Sequence, residues 1–159
     1  MSFTKDKDSD NYTTNKEGWE KIKPYIPNDK VIWSPFYCNG IQKEYFKEMG
    51  YDIIHEDKDF FSYTPKYDII IDNMPFSKWK EICKKLKDLD KPFIMITFPK
   101  VFLLKGFTNL FKEHLQLLIP NRRPTFTHLN NPTQGYTPPF GVWYFCYKMD
   151  FKNDINWIP

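Results

Sequence analysis

The stretch IIIDNMPFSKW, residues 69–79, carries the most chemistry per position: three β-branched residues end in Asp72 and Asn73, a Met74-Pro75 break follows, and Phe76 and Ser77 come next. A carboxylate and an amide at the exit of an apolar strand put polar groups at the rim of a core, and proline limits the freedom of the residues beside them. Two other polar clusters also follow apolar runs. Pro35, Phe36, Cys38 and Gly40 come after VIW (31–33), and His55, Glu56, Asp57, Asp59 and Phe60 come after YDII (51–54). The segment PNRRPTFTHLNNPTQGYTPPF (120–140) gathers Arg122, Arg123, Phe126, His128, Tyr136 and Phe140. A basic, aromatic loop of this kind can clamp a phosphate backbone and stack an extruded base; its alternative is a hairpin whose prolines block edge pairing. His55, His114 and His128 show no metal-ligand spacing, so no metal is expected. Cys38 has no evident paired base, which favours packing over nucleophilic chemistry.

Bringing these positions together requires strands and helices in the right order. The spacing predicts a short helix from Asn15 with Trp19 and Ile22 on one side, closed by Pro24 and Pro27. A strand at 31–33 leads to a helix with Ile41, Tyr45, Phe46 and Met49 on one face and Gly50 as its left-handed cap. Strands follow at 51–56 and 67–71, and Ser77 caps a helix carrying Trp79, Ile82, Cys83, Leu86 and Leu89 at helical spacing. A strand at 92–98, a helix over 101–114 with Gly106 as its weak point, and strands near 115–119 and 142–148 close the chain. Alternating strands and helices predict an α/β fold with a mostly parallel sheet, helices on both faces and an antiparallel C-terminal strand. In such sheets ligands bind outside the carboxyl ends of the strands, so the three polar clusters share one edge.

The chain has 159 residues, room for one sizeable core: a flexible tail at 1–11 and a single domain at 12–159 are expected. With 41% hydrophobic and 27% charged residues the composition is globular, and no run approaches the roughly 20 apolar residues of a membrane span. The start of the chain has no apolar core of the signal-peptide kind, and the three cysteines are odd in number, which predicts reduced thiols inside a cell. A net charge of +3 permits a nucleic-acid partner without requiring one. Aromatic content of 19% fits either a ring-rich core or stacking platforms.

WSPFYCNG (33–40), IIHEDKDFF (53–61), DIIIDNMPFS (68–77) and KPFIMITFP (91–99) together resemble the S-adenosylmethionine-dependent methyltransferases of the adenine-N6 type, in particular the small single-domain versions of phages and large DNA viruses. With the order of elements, the resemblance covers roughly residues 12–149 and implies a minimal class I methyltransferase (Rossmann-like) fold. Asn73-Met74-Pro75-Phe76 keeps three of the four positions of the family's Asn-Pro-Pro-Phe motif.

The resemblance implies roles for particular residues. An aromatic amine is a poor nucleophile until its hydrogens are held, and the Asn73 amide oxygen and Met74 carbonyl are the implied acceptors. Pro75 stiffens them and Phe76 stacks on the base. For the cofactor, S-adenosylmethionine, the implied residues are the turn Pro35, Phe36, Cys38 and Gly40 at its methionine part and Glu56 or Asp57 at the ribose. Asp59 and Phe60 are implied at its adenine, and Tyr12 and Thr13 at its far side. Cys38 stands where the family has glycine, and Met74 replaces a proline.

The function expected is methyl transfer to adenine N6 in nucleic acid, DNA or RNA, with Arg122, Arg123, Phe126 and Tyr136 on the nucleic acid and a protein partner supplying target recognition. The alternatives are a catalytically inactive relative serving as a nucleic-acid-binding or scaffold subunit, and a methyltransferase for small molecules or proteins. The expected location is the host cell's cytoplasm or nucleus, or a virion.

Overall fold

The computed structural model describes residues 10–138 and 141–159. Among them, seven strands form one sheet, and it is built from the apolar runs. These are β2 (Val31–Trp33), β3 (Asp52–Ile54), β4 (Ile69–Asn73), β5 (Phe93–Thr97), β6 (Leu115–Pro120), β9 (Trp143–Tyr147) and β10 (Ile155–Ile158). The order across the sheet is β10-β6-β9-β5-β4-β2-β3. β9 runs antiparallel to both its neighbours, and the other pairs are parallel.

The period of two along each strand divides the core. Ile69, Ile71, Ile94 and Ile96 face one side, where Trp19 of α1 (Lys16–Glu20) and Phe46 of α2 (Ile41–Glu48) cover them. Ile70, Phe93, Met95 and Phe145 face the other, under Ile82, Cys83 and Leu86 of α3 (Trp79–Leu89) and Phe107 and Phe111 of α5 (Lys105–Phe111). Burying side chains of this size contributes about 1.5–3 kcal/mol each, which is why near-continuous apolar runs become strands covered on both faces.

A second, antiparallel sheet consists of β1 (Tyr12–Thr14), β7 (Phe126–His128) and β8 (Asn131–Tyr136), in the order β1-β7-β8. It joins the start of the described chain to the 120–140 segment, with Tyr12 opposite His128.

Several elements differ from the sequence reading. The strand at residues 142–148 is antiparallel as expected, yet it does not close the chain: β10 adds a parallel edge strand beyond β6. Ser77 does not cap α3. It lies in a 3-10 turn, Phe76–Lys78, and its hydroxyl donates to Asp10, while Lys78 holds the cap position. The helix expected over 101–114 is two, α4 (Pro99–Phe102) and α5, broken at Leu103–Leu104 and not at Gly106, which sits within α5 close to Trp79. Only β3 to β4 crosses without a helix among the parallel crossovers described. That connection packs Phe60 and Tyr67 on Trp33, and Lys85 of α3 donates to the carbonyls of Phe60 and Tyr63. The tail expected over 1–11 lies outside the described residues up to residue 9, whereas Asp10 and Asn11 are held, the latter by Leu129 N–H at 2.9 Å.

Candidate active site

From β2 the chain moves outward to β3, and from β4 it moves the opposite way to β5. The two exits therefore part and leave a crevice at the carboxyl ends of the strands. A cavity of about 380 Å³ opens there, within the range of small-ligand sites.

Asp72 organises this crevice. It is 2% exposed; its Oδ2 accepts from Ser34 Oγ at 2.9 Å and from the Phe36 N–H at 2.7 Å, and its Oδ1 accepts from the Asn73 N–H at 2.7 Å. Gln42 of α2 donates to Ser34 Oγ at 2.7 Å and to the Ile71 carbonyl at 3.3 Å. One carboxylate thus ties the exit of β2 and the exit of β4 together, and through Ser34 reaches the start of α2. Burial pushes Asp72 above the usual carboxylate range, against the pull of His55 and of the N–H groups that it accepts. His55 is buried beside it, with Nδ1 2.8 Å from the Ser34 carbonyl; facing a carbonyl, that nitrogen is the donor.

The turn after β2 has two left-handed residues, Cys38 at φ 52° and Gly40 at φ 80°. Gly40 is required twice over: its φ favours glycine, and a Cβ there would lie 2.6 Å from the Tyr37 hydroxyl. Cys38 borders the cavity with its side chain exposed to solvent. Partial burial of the sulfur and the nearby Asp72 push its thiol up, which keeps it protonated and unreactive at neutral pH.

Asn73, Met74 and Pro75 line the cavity. The Met74 side chain turns into the core, where its sulfur lies 4.0 Å from that of Cys83, and its N–H points at the Ile96 carbonyl. Asn73 is half-buried, and among the described residues no hydrogen bond engages its side-chain amide. Tyr12, Thr13, Pro35, Phe36, Cys38, Asp57, Asp59 and Phe60 border the same cavity. Phe60 is 4% exposed, its ring 5.2 Å from that of Phe36 and 5.5 Å from that of Trp33.

Three expected residues do not reach the cavity wall. Gly40 shapes the turn from behind it. Glu56 turns to Lys58 at 3.1 Å and the Tyr63 hydroxyl at 3.0 Å, which hold its carboxyl below the usual range, so of the pair Glu56 and Asp57 it is Asp57 that borders the cavity. Phe76 is buried on the α3 face with its ring 5.6 Å from that of Phe98, so the ring expected to stack on a base lies off the wall.

The residues expected on nucleic acid are also divided. Phe126 is no stacking platform: at 6% exposed it belongs to the core under α1 and α2, because β7 alternates and its flanking Thr125 and Thr127 take the outer positions. Tyr136 is exposed and its ring lies 5.3 Å from that of Tyr12; both border a second recess, of about 300 Å³. Arg122 and Arg123 are exposed, and the Arg123 guanidinium donates to the Pro138 carbonyl at 2.9 Å. Phe140 lies outside the described residues.

The sequence reading gave no role to Asp72, Ser34 or Gln42, although an acid that closes an apolar strand must find donors. Among the described residues, no group of three His, Cys, Asp or Glu side chains could hold a metal ion, and no helix is long and apolar enough to cross a membrane.

No family model matches the chain. It is similar to the type II methyltransferase M.EcoRI of Escherichia coli, at 27% identity over an alignment that covers 91% of this chain and 42% of that protein. The chain therefore spans about two fifths of that relative's length. A mostly parallel sheet with helices on both faces, a ligand-sized crevice at its switch point and this likeness make the chain a distant relative of a methyltransferase with a Rossmann-like methyltransferase fold.

Proposed function

We propose that this chain is an S-adenosylmethionine-dependent methyltransferase acting on the N6 amine of adenine in nucleic acid. The observation that carries the reading is the seating of Asn73: its amide has no hydrogen bond among the described residues and borders a 380 Å³ cavity that acids and rings share. Those lining groups suit the cofactor. Asp57 supplies an acceptor for ribose hydroxyls, Asp59 an acceptor for the adenine amine, and Phe60 with Phe36 an apolar wall for a ring.

When bound, the cofactor supplies a methyl group on a sulfonium centre. The chain's own residues hold the amine: the Asn73 amide oxygen and the Met74 carbonyl accept its two hydrogens and draw the nitrogen toward a tetrahedral shape, so that its lone pair leaves the ring. Pro75, at φ −60°, and the Asp72 tie on the Asn73 N–H fix these acceptors before reaction, so little ordering is left for the transition state. Neither acceptor is basic; the proton lost when the amine gains its methyl passes to solvent.

Calorimetry with S-adenosylmethionine, then methyl transfer to adenine-containing DNA and RNA oligonucleotides, tests the proposal. Binding heat and transfer are expected for the wild type. Asn73→Ala should cut transfer at least a hundredfold, the scale of one oxyanion-hole donor, while cofactor affinity stays within about threefold. Absence of binding heat would leave a non-catalytic relative. Retained transfer by Asn73→Ala would remove that residue from its role.

A further inference from the structure

β10 closes one edge of the large sheet, and among the described residues no strand pairs with its outer side. Leu117 N–H donates to the Asp154 carbonyl and Asn121 N–H to the Ile158 carbonyl, both at 2.8 Å, and Ile155 to Ile158 run parallel to Leu117 to Pro120. In that ladder the even-numbered residues of β10 spend their peptide groups on β6, so the N–H and C=O of Ile155 and Trp157 point outward. The same two residues carry large exposed apolar side chains, Ile155 at 54% and Trp157 at 72%. With a period of two they share a face, and their partners across the ladder are Leu117 and Ile119. Exposed edge strands are commonly blunted by lysine, an inward charge, a bulge, proline or short length; INWI carries no lysine, inward charge or bulge, and is short, with Pro159 directly after it.

We propose that this edge is a dimer interface on which a second copy of the chain pairs its own β10 antiparallel across a twofold axis at Asn156. The register follows from the ladder. An isologous pairing must match outward-pointing residues with outward-pointing residues, and centring on Asn156 sets Ile155 opposite Trp157 of the partner and Trp157 opposite Ile155. Each pair exchanges two backbone hydrogen bonds and makes an aromatic to β-branched contact on one face of the sheet. Charge permits it: Asp154 falls opposite Ile158 and Asn153 opposite Pro159, so no like charges meet. A pairing centred on Ile155 sets Ile155 on its own copy and Trp157 on Asn153, and one centred on Trp157 sets Trp157 on its own copy and Ile155 on Pro159; either gives up both mixed pairs. The β10 edge lies at the opposite end of the strand order from β4, β2 and β3, so both copies keep their crevice open. The assembly is independent of the proposed activity.

Sedimentation velocity of the full chain from about 1 to about 100 µM, the range of a small interface, tests the assignment. A reversible monomer–dimer equilibrium is expected, with Trp157→Lys or Ile155→Lys raising the dissociation constant at least tenfold; both positions are exposed, and circular dichroism checks that the fold is kept. Register is read by crosslinking in a Cys38→Gly background, which removes the exposed native thiol. Asn156 faces its own copy in a non-hydrogen-bonded pair with Cα atoms about 4.5 Å apart, close enough for a disulfide. Asn156→Cys should therefore link covalently under mild oxidation, and Ile155→Cys should not. A chain that stays monomeric at the top of the range, a dimer indifferent to Trp157→Lys, or linkage through Ile155→Cys in place of Asn156→Cys would each overturn the assignment.

Discussion

Replacing Asp72 with asparagine tests which force sets the crevice. The carboxylate accepts three short hydrogen bonds, from Ser34, Phe36 and Asn73, and two of the donors are backbone N–H groups of the strand exits. Asparagine keeps one acceptor oxygen and presents an NH₂ group to the other side, so either the Phe36 or the Asn73 N–H is left facing a donor. Losing one charge-assisted bond costs about 1.5–3 kcal/mol, and an unsatisfied buried N–H about 1–3 kcal/mol. Relief from burying a charge offsets part of this, since replacing a buried ionised group with a neutral one of the same shape recovers desolvation energy. A net loss of about 2–3 kcal/mol is expected in urea unfolding at pH 7, above the raised value of about 6 where the carboxyl is ionised, and binding of S-adenosylmethionine should weaken about tenfold as the 34–40 turn loosens.

The pH dependence carries the sharper test. Burial holds the folded-state carboxyl of Asp72 above its unfolded value, so the folded state binds more protons than the unfolded state between the two values. Stability from this residue is full below the unfolded value, near pH 4, and is lost as pH rises through the raised folded value. The wild type should therefore lose stability across that window more steeply than Asp72→Asn, and the deficit of the variant should shrink as pH rises. A deficit that grows with pH would refute the reasoning, because it would mean that the three donors outweigh burial and the folded state prefers the ionised form.

Phe126→Ala should lower stability by about 3–4 kcal/mol, the cost of emptying a core aromatic site, and a thermal scan showing an unchanged melting temperature would return Phe126 to the surface. Arg122→Ala with Arg123→Ala should weaken binding to duplex DNA and lower the slope of log K against log salt by roughly 2, read from a titration at several salt concentrations; an unchanged slope would place the phosphate contacts elsewhere. Hydrogen bonds from Lys148 and the Tyr147 hydroxyl hold Asp90 down to about 2, so its stabilising effect is present above the usual carboxylate range and lost as pH falls toward that value. Asp90→Asn, which tolerates the left-handed backbone at this position, should flatten the acid side of the stability profile between about pH 4 and pH 2.

Elements that could be read from the sequence are those whose signal is local. VIW, YDIII and PFIMITF are strands because no other structure buries such short β-branched and aromatic runs on two faces, and their order alone puts Asn73, Asp57 and the 34–40 turn at one edge. The missed features depend on distant partners. β8, NPTQGY, is exposed at every position and reads as a loop; it is a strand because β7 lies beside it, and β7 is placed by β1, more than a hundred residues earlier in the chain. Phe126 shows a faint period-two signal between two threonines, hidden by the prolines and arginines around it. INWI is too short and too exposed to announce itself, and only the register of β6 gives it a place. Ser77 looks like a cap because it precedes a helical pattern, but its hydroxyl is taken by Asp10.

The turn after β2 shows how geometry weighs the glycine that the sequence resemblance implies at position 38 against the cysteine that stands there. Glycine at position 38 would supply a left-handed backbone at no cost, and Cys38 adopts that backbone with a Cβ, at roughly 1–2 kcal/mol. The substitution thus costs conformational energy more than space, since the side chain reaches solvent and the cavity keeps its 380 Å³ with the sulfur at its border. Gly40 has no such latitude, because the Tyr37 ring fills the room that a Cβ needs and is itself packed against His55, the ring centroids 5.0 Å apart and the planes tilted by 30°. His55 in turn bonds to the Ser34 carbonyl, and Ser34 to Asp72. The pressure for glycine in this turn therefore falls on the position tied through ring and imidazole to the carboxylate that joins the strand exits, and the position facing solvent is the one free to change.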